Sequence, residues 1–285
     1  MTSAPHTVTG RAFSILDAFT ERAPALTLSE LSRRTGLPLT TTHRLVGELT
    51  QWGALELDLD GRYRVGLRLY EIASLAPRGP GLRDTALPFL EDLYEATHEN
   101  VQLAVLDGTE VVYLERISGH RAVNVSSRPG GRLPVHATGV GLALLAHADP
   151  DVQERILAQP LKTFTDRTIS SPKELRTRLA DVRREGYVIS DRQIESSTQS
   201  IAAPVRGPDS SVIAALSVVV PASDTDPYTL VPAVRAAARG LSRALGNHRQ
   251  PTSAVSASSV LLSRAAALRT KATATAPTAP TAAKA

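Results

Sequence analysis

From Thr9 onward apolar residues recur at intervals of three and four, so that Ala12, Phe13, Ile15, Leu16 and Phe19 make one stripe of a first helix. Ala23 and Pro24 interrupt it. Thr27-Leu28-Ser29-Glu30 is then a capping-box pattern, in which the Thr27 hydroxyl accepts from the Glu30 N–H while the Glu30 side chain reaches back. A second helix starts there and ends at Gly36, whose permissive backbone suits the turn after a helix. Pro38 opens a third helix at its first position, where no N–H is needed. Leu45, Val46 and Leu49 lie on one face of that helix, near Thr42, while Thr40, Thr41, Arg44, Glu48 and Gln51 fall on the opposite face. After Gly53 the period drops to two: Leu55, Leu57 and Leu59 alternate, Asp60-Gly61 supplies a hairpin turn, and Tyr63 and Val65 alternate on the return. Helix, tight turn, amphipathic helix and hairpin together predict a winged helix-turn-helix.

A further helix is predicted over 67–76, and Pro77, Gly79, Pro80 and Gly81 mark the boundary between domains. Beyond it the pattern gives a helix over 82–98 and strands over 101–106 and 110–117 around an Asp107-Gly108 turn. Helices follow over 138–148 and 172–185, strands over 187–190, 200–206 and 212–220, and a closing helix over 227–246. Strands, then helices, then strands predict an α+β domain with helices packed on a sheet. The chain thus divides into an arm (1–8), a first domain (9–68), a linker helix and hinge (69–81), a second domain (82–248) and a tail (249–285). Arm and tail are expected to be disordered, the tail because its Ala, Thr, Pro and Ser leave little apolar surface to offset ordering entropy.

Composition narrows the class. The chain has 285 residues, enough for two cores, with 42% hydrophobic and 21% charged residues. No apolar run approaches the roughly 18 to 20 residues of a membrane span, and the start lacks a leader pattern, so no membrane partner and a cytoplasmic address are expected. Cysteine is absent, which excludes disulfides, thiol nucleophiles and thiolate metal sites. The net charge of +4 is misleading, because Arg264, Arg269, Lys271 and Lys284 all lie in the tail. Removing those four from 32 cations leaves 28 against 28 acidic residues. DNA contact must therefore come from locally placed arginines, not from bulk charge.

Several ordered motifs resemble the IclR family of bacterial transcriptional regulators, over residues 9–246. They are Leu31-Ser32-Arg33-Arg34-Thr35-Gly36-Leu37-Pro38, Thr42-His43-Arg44-Leu45, and the hairpin exit Gly61-Arg62-Tyr63-Arg64-Val65-Gly66-Leu67-Arg68-Leu69. In the second domain they are Arg132-Leu133-Pro134-Val135-His136-Ala137-Thr138-Gly139, Gly186-Tyr187 and Ile201-Ala202-Ala203-Pro204-Val205. The resemblance implies a winged helix-turn-helix, a linker helix used in dimerisation and a GAF-like effector-binding domain, assembled as a homodimer or homotetramer. It implies a regulator whose hold on double-stranded operator DNA responds to a small-molecule effector.

For DNA, Thr40, Thr41, His43 and Arg44 at the start of the third helix are the candidates for the major groove, where Arg44 can fork onto a guanine edge or hold a phosphate. Arg33, Arg34, Arg62 and Arg64 are expected to clamp phosphates. Leu39 stands where relatives often carry a basic residue. For the effector, the resemblance carries pocket positions onto Gly139, Val140, Ser190, Asp191, Ser200, Ser217 and Val219. Thr138 can cap a helix whose first N–H groups would attract a carboxylate, so an organic acid is expected. Departures from relatives, which often have an acid at Ser190, acids at Arg192 and Gln193, glycine at Ser197, cysteine at Ser200, serine at Val219 and lysine at Leu142, make the effector this chain's own. His136 is expected as a packing or hydrogen-bonding residue.

The bland alternatives are solvated arginines, and glycines and serines that serve helix–sheet packing. An enzyme with a helical accessory domain would need a nucleophile, an acid–base pair or a metal site near Gly139 and Ser200. The sequence offers no such set, no GxSxG elbow, no complete dinucleotide loop and no histidine pair at metal-ligand spacing. No catalytic residue, metal or cofactor is assigned.

Overall fold

A computed structural model describes residues 7–76, 79–119, 122–223 and 225–247. The predicted arm at 1–8 falls largely outside these residues, as does the tail at 249–285. Thr7 and Val8 belong instead to the first helix, α1 (Val8–Asp17), which Thr7 caps through its side chain. The capping box forms as expected at Thr27 and Glu30 and starts α2 (Leu28–Thr35), which ends at Gly36 in the left-handed region. In α3 (Leu39–Trp52), Pro38 is the cap residue, one position before the place assigned to it.

Two expectations for this half are corrected. Phe13 is 60% exposed, whereas Ile15 is fully buried and Ala12, Leu16 and Phe19 pack beside it. Residues two apart on a helix do not share a face, so Phe13 falls off the stripe centred on Ile15. Leu59 does not continue a strand. The Asp58 carboxylate accepts from the Asp60 and Arg62 N–H groups and builds a turn across 58–62. Leu59 therefore stands fully exposed at the hairpin tip, between β2 (Leu55–Leu57) and β3 (Tyr63–Val65). A strand the pattern missed, β1 (Ala25–Leu26), pairs with β3 to give an antiparallel sheet of order β1-β3-β2. Two residues are too few to show alternation. Leu26, Leu31, Leu37, Leu45, Val46 and Leu55 close the core around Ile15. The linker helix α4 (Leu67–Ala73) follows.

The second half is built on one antiparallel sheet of order β6-β5-β4-β9-β8-β7. Its strands are β4 (Asn100–Asp107), β5 (Glu110–Ile117), β6 (Arg132–Pro134), β7 (Val188–Asp191), β8 (Thr198–Arg206) and β9 (Val212–Pro221). Alternation sorts the side chains to two faces. Val101, Leu103, Val105, Ile201, Ala203 and Val205 pack with α5 (Pro80–Thr97) and α9 (Val231–Asn247). Ala104, Ala202 and Ala215 pack on the other face with α6 (Gly139–Leu145), α7 (Pro150–Leu157) and α8 (Pro172–Glu185). β6 and α7 were not anticipated, and the helix expected over 138–148 is shorter, preceded by a 3-10 turn at Val135–Ala137. A second 3-10 turn at Pro227–Thr229 precedes α9.

Candidate nucleic-acid interface and ligand cavity

Packing decides which face of α3 is free. Thr42, Leu45 and Val46 are buried, and Thr42 Oγ1 donates to the Pro38 carbonyl at 3.1 Å. Thr40, His43 and Arg44 are exposed on the other side, and Thr41 is half-buried. Arg44 donates to the Glu48 carboxylate one turn on, at 2.5 Å, with both side chains more than half exposed. An exposed pair of this kind contributes little to stability and leaves the guanidinium available to a partner.

The four arginines expected at phosphates differ in their surroundings. Arg33 is exposed on α2. Arg34, also exposed, donates to the Ala18 carbonyl at 2.9 Å and so ties α2 to the end of α1. Arg62 lies 3.4 Å from the Glu30 carboxylate and from the Ala25 carbonyl, while Arg64 donates to Asp58 at 3.0 Å. The Glu30 carboxyl is held below the usual range chiefly by the Thr27 backbone N–H and hydroxyl, with Arg62 adding to the effect. Asp58 is lowered mainly by the Arg62 backbone N–H that closes the hairpin turn.

The linker helix is anchored to this unit and otherwise exposed. Its first N–H, at Leu67, donates to Glu56 Oε1 of β2 at 2.9 Å, and the Arg68 guanidinium lies 5.7 Å from the centre of the Trp52 ring. Leu67, Tyr70, Ile72 and, beyond the helix, Leu75 are exposed apolar residues.

Strand register assembles the second site. Gln102 stands opposite Ser217, Ser217 opposite Ala202, Val219 opposite Ser200, and Ser200 opposite Ser190. These residues form adjoining rows on the sheet face that meets α6. Gly139 permits that meeting, since a Cβ there would collide with Ser200 Oγ, while Gly141 lets the helix start fold against the preceding turn, since a Cβ there would collide with the Val135 carbonyl. Thr138 caps α6 by accepting from the Gly141 N–H at 3.1 Å.

The result is a cavity of about 50 Å³ whose lining includes Gly139, Val140, Ser190, Ser200, Ser217 and Val219. Asp191 is not part of that lining and pairs with Arg192 at 2.9 Å. Gln102, Tyr113, Ser127, Gln193, Glu195 and Thr198 also line it; sequence reasoning noted Gln193 only as a departure from relatives and missed the other five. Polar residues inside an apolar strand pattern were the available signal, for Gln102 and Ser217 are 3% and 1% exposed. They are joined: Gln102 Nε2 donates to Ser127 Oγ at 2.6 Å, and Ser217 Oγ donates to Gln102 Oε1 at 3.3 Å. His136 is buried nearby, with Nε2 against the Lys162 carbonyl at 2.9 Å, as a hydrogen-bonding core residue. A larger cavity, about 780 Å³, opens at the other end of the strands beside the 107–109 and 207–211 turns, and its lining contains none of the expected effector residues.

Among the described residues no group of histidines, acids or cysteines is arranged to hold a metal, and no helix is long and apolar enough to cross a membrane.

Residues 78–243 match the family model described as Bacterial transcriptional regulator IclR C-terminal, and residues 8–59 match the IclR helix-turn-helix domain. The HTH-type transcriptional regulator XynR of Escherichia coli K12 is 35% identical over 241 residues, covering 83% of this chain and 96% of XynR. BhcR of Paracoccus denitrificans, also an HTH-type transcriptional regulator, is 33% identical over 237 residues, covering 81% of this chain and 85% of BhcR. An IclR homologue from Microbacterium hydrocarbonoxydans, solved in complex with 4-hydroxybenzoate, superposes with a TM-score of 0.79 at 41% identity, covering 84% of this chain and 99% of that one. XynR and BhcR are named as transcriptional regulators, and the Microbacterium homologue shares both halves of the fold, the winged helix-turn-helix and the GAF-like domain, with this protein. The chain belongs to the IclR family of bacterial transcriptional regulators, which bind DNA under the control of a small-molecule effector.

Proposed function

We propose that this protein is a cytoplasmic homodimer or homotetramer whose hold on its operator is set by a small organic acid bound between α6 and the sheet. In this reading residues 9–68 bind DNA, 69–81 link and pair protomers, and 82–248 bind the effector. The observation that carries it is the division of α3: Thr42, Leu45 and Val46 are buried while Thr40, His43 and Arg44 remain exposed. A helix so anchored can enter a major groove with Arg44 and its neighbours against base edges, while Arg33, Arg34, Arg62 and Arg64 hold phosphates. The effector reading is supported by the cavity, whose wall includes Gly139 and Val140 at the capped start of α6, and by the Microbacterium homologue that holds an aromatic acid. An effector that prefers one arrangement of the second domain shifts the population that grips DNA.

Gel-shift titration against the DNA upstream of the protein's own gene, at two salt concentrations, tests this. The expected result is tighter binding to that DNA than to unrelated duplex, a loss of about 1–3 kcal/mol in Arg44→Ala, and a change in affinity when 4-hydroxybenzoate or a related acid is added. Equal binding to both duplexes at every salt concentration overturns the specific-regulator reading.

A further inference from the structure

The lining of the effector cavity offers one hydrogen-bond acceptor that lacks a donor and one whose donor a ligand could replace. Gln193 is 7% exposed, and its Oε1, shut off from solvent, has no hydrogen-bond partner. A buried amide oxygen left in this state is costly, and a ligand donor would relieve it. Glu195 is the one charged side chain in the lining, which contains no lysine, arginine or histidine among the described residues. Its Oε1 accepts from the Ser126 N–H at 2.8 Å and from the Ser126 hydroxyl, and Thr198 Oγ1 lies 3.5 Å from Oε2. The carboxylate also acts on the cavity interior: burial first, and then the Glu195 charge, push the Tyr113 phenol well above its ordinary pKa.

Ser126 belongs to a loop, 122–127, that forms one wall. The rest of this loop is held from the sheet: Asn100 Nδ2 donates to the Val123 carbonyl at 2.7 Å, Gln102 to Ser127 Oγ, and Arg116 to the Ser127 carbonyl at 2.8 Å. Glu195 supplies the charged attachment from the opposite wall. At about 50 Å³ the cavity, which is partly open to solvent, has room for a water or two and is well below the roughly 300 Å³ at which small-molecule pockets begin. Admitting a ligand therefore requires a wall to move. Ser126, exposed and held by an acceptor the ligand can use, marks where.

We propose that Gln193 and Glu195 form an acceptor pair selecting an effector that carries a hydroxyl or protonated amine at one end, which replaces Ser126 on Glu195 and frees the Ser126 segment of the wall. The inference rests on the effector cavity proposed above and adds the chemistry of the ligand's far end. An acid at that end would meet the Glu195 carboxylate with no cation between them, so simple diacids are selected against.

The test is calorimetric titration of the full-length protein with straight-chain ω-hydroxy and ω-amino carboxylates, using plain carboxylates and α,ω-diacids of equal length as controls. The donor-bearing probes should bind on the order of tenfold more tightly than the plain acids. Glu195→Gln should abolish the preference for the amine, Gln193→Leu should weaken the hydroxyl-bearing probes, and Ser126→Ala, which removes the hydroxyl competitor and leaves the backbone N–H, should tighten both. A circular-dichroism spectrum and urea-unfolding slope matching wild type for each variant separate these effects from misfolding. Plain acids or diacids binding as tightly as the donor-bearing probes, a preference that survives both Glu195→Gln and Gln193→Leu, or no binding by any donor-bearing probe overturns the proposal. Each of those results leaves the regulator reading to its own gel-shift test.

Discussion

His147 follows α6 with its Nε2 shut off from solvent and without a hydrogen-bond partner. Burial lowers its pKa first, and the charges of Arg206 and Arg183 lower it further. His136 is lowered too, by burial, with its hydrogen bond to the Lys162 carbonyl working in the opposite direction. A histidine whose folded pKa lies below the unfolded value of about 6.5 takes up a proton more readily when unfolded. Its stabilising contribution is complete above that value and is lost as pH falls from it toward the folded pKa. Urea unfolding followed between pH values of roughly 7.5 and 5.5 should therefore show a falling midpoint. His147→Gln should reduce that fall, and a variant whose midpoint tracks wild type across the range would refute the assignment.

At the scale of elements, the capping box at Thr27 holds up more than one helix end. The Glu30 carboxylate that accepts from Thr27 is also 3.4 Å from Arg62 beside the wing, so α2 and the hairpin share a joint. Thr27→Ala should destabilise the fold by about 1 kcal/mol, read from denaturant midpoints at unchanged slope. It should also weaken operator binding through displacement of Arg62, and a loss of stability with unaltered DNA affinity would separate the two roles. This joint was half legible in the sequence. The spacing of Thr27 and Glu30 announced the cap, because both partners lie within one turn. Arg62 is 32 residues from Glu30, and no local period relates them. The same contrast holds in the second domain. Long strands, cap residues and the Gly139 approach could be read from the chain, since alternation and helix signals are local. Gln102 and Ser217 meet only through the register of β4 against β9, 115 residues apart, and the short strand β6 had no partner visible until β5 was placed beside it.

For the whole molecule the exposed apolar residues around α4 set an expectation of assembly. Tyr70 and Leu75 are 72% and 80% exposed, and Leu67 and Ile72 add to an apolar surface. Such a surface on a helix between two domains suits a second copy of the chain, whose pairing would fix the distance between two DNA-reading helices. The double substitution Tyr70→Glu and Leu75→Glu should shift the protein toward monomer in sedimentation experiments. It should also lower affinity for a two-half-site duplex far more than for an isolated half-site. An unchanged sedimentation profile would place the self-association surface elsewhere.

The ion pair between Arg44 and Glu48 carries a consequence for fidelity. Were Arg44 to turn to a guanine edge, as proposed, it would abandon its acid, and Glu48 would be left beside a polyanion with its charge uncovered. A cytosine amino group within reach would welcome that oxygen, whereas an arbitrary stretch of duplex offers it only repulsion. In that proposed docking the helix would discriminate twice with two side chains, rewarding one sequence and rejecting the many that cannot receive the discarded partner.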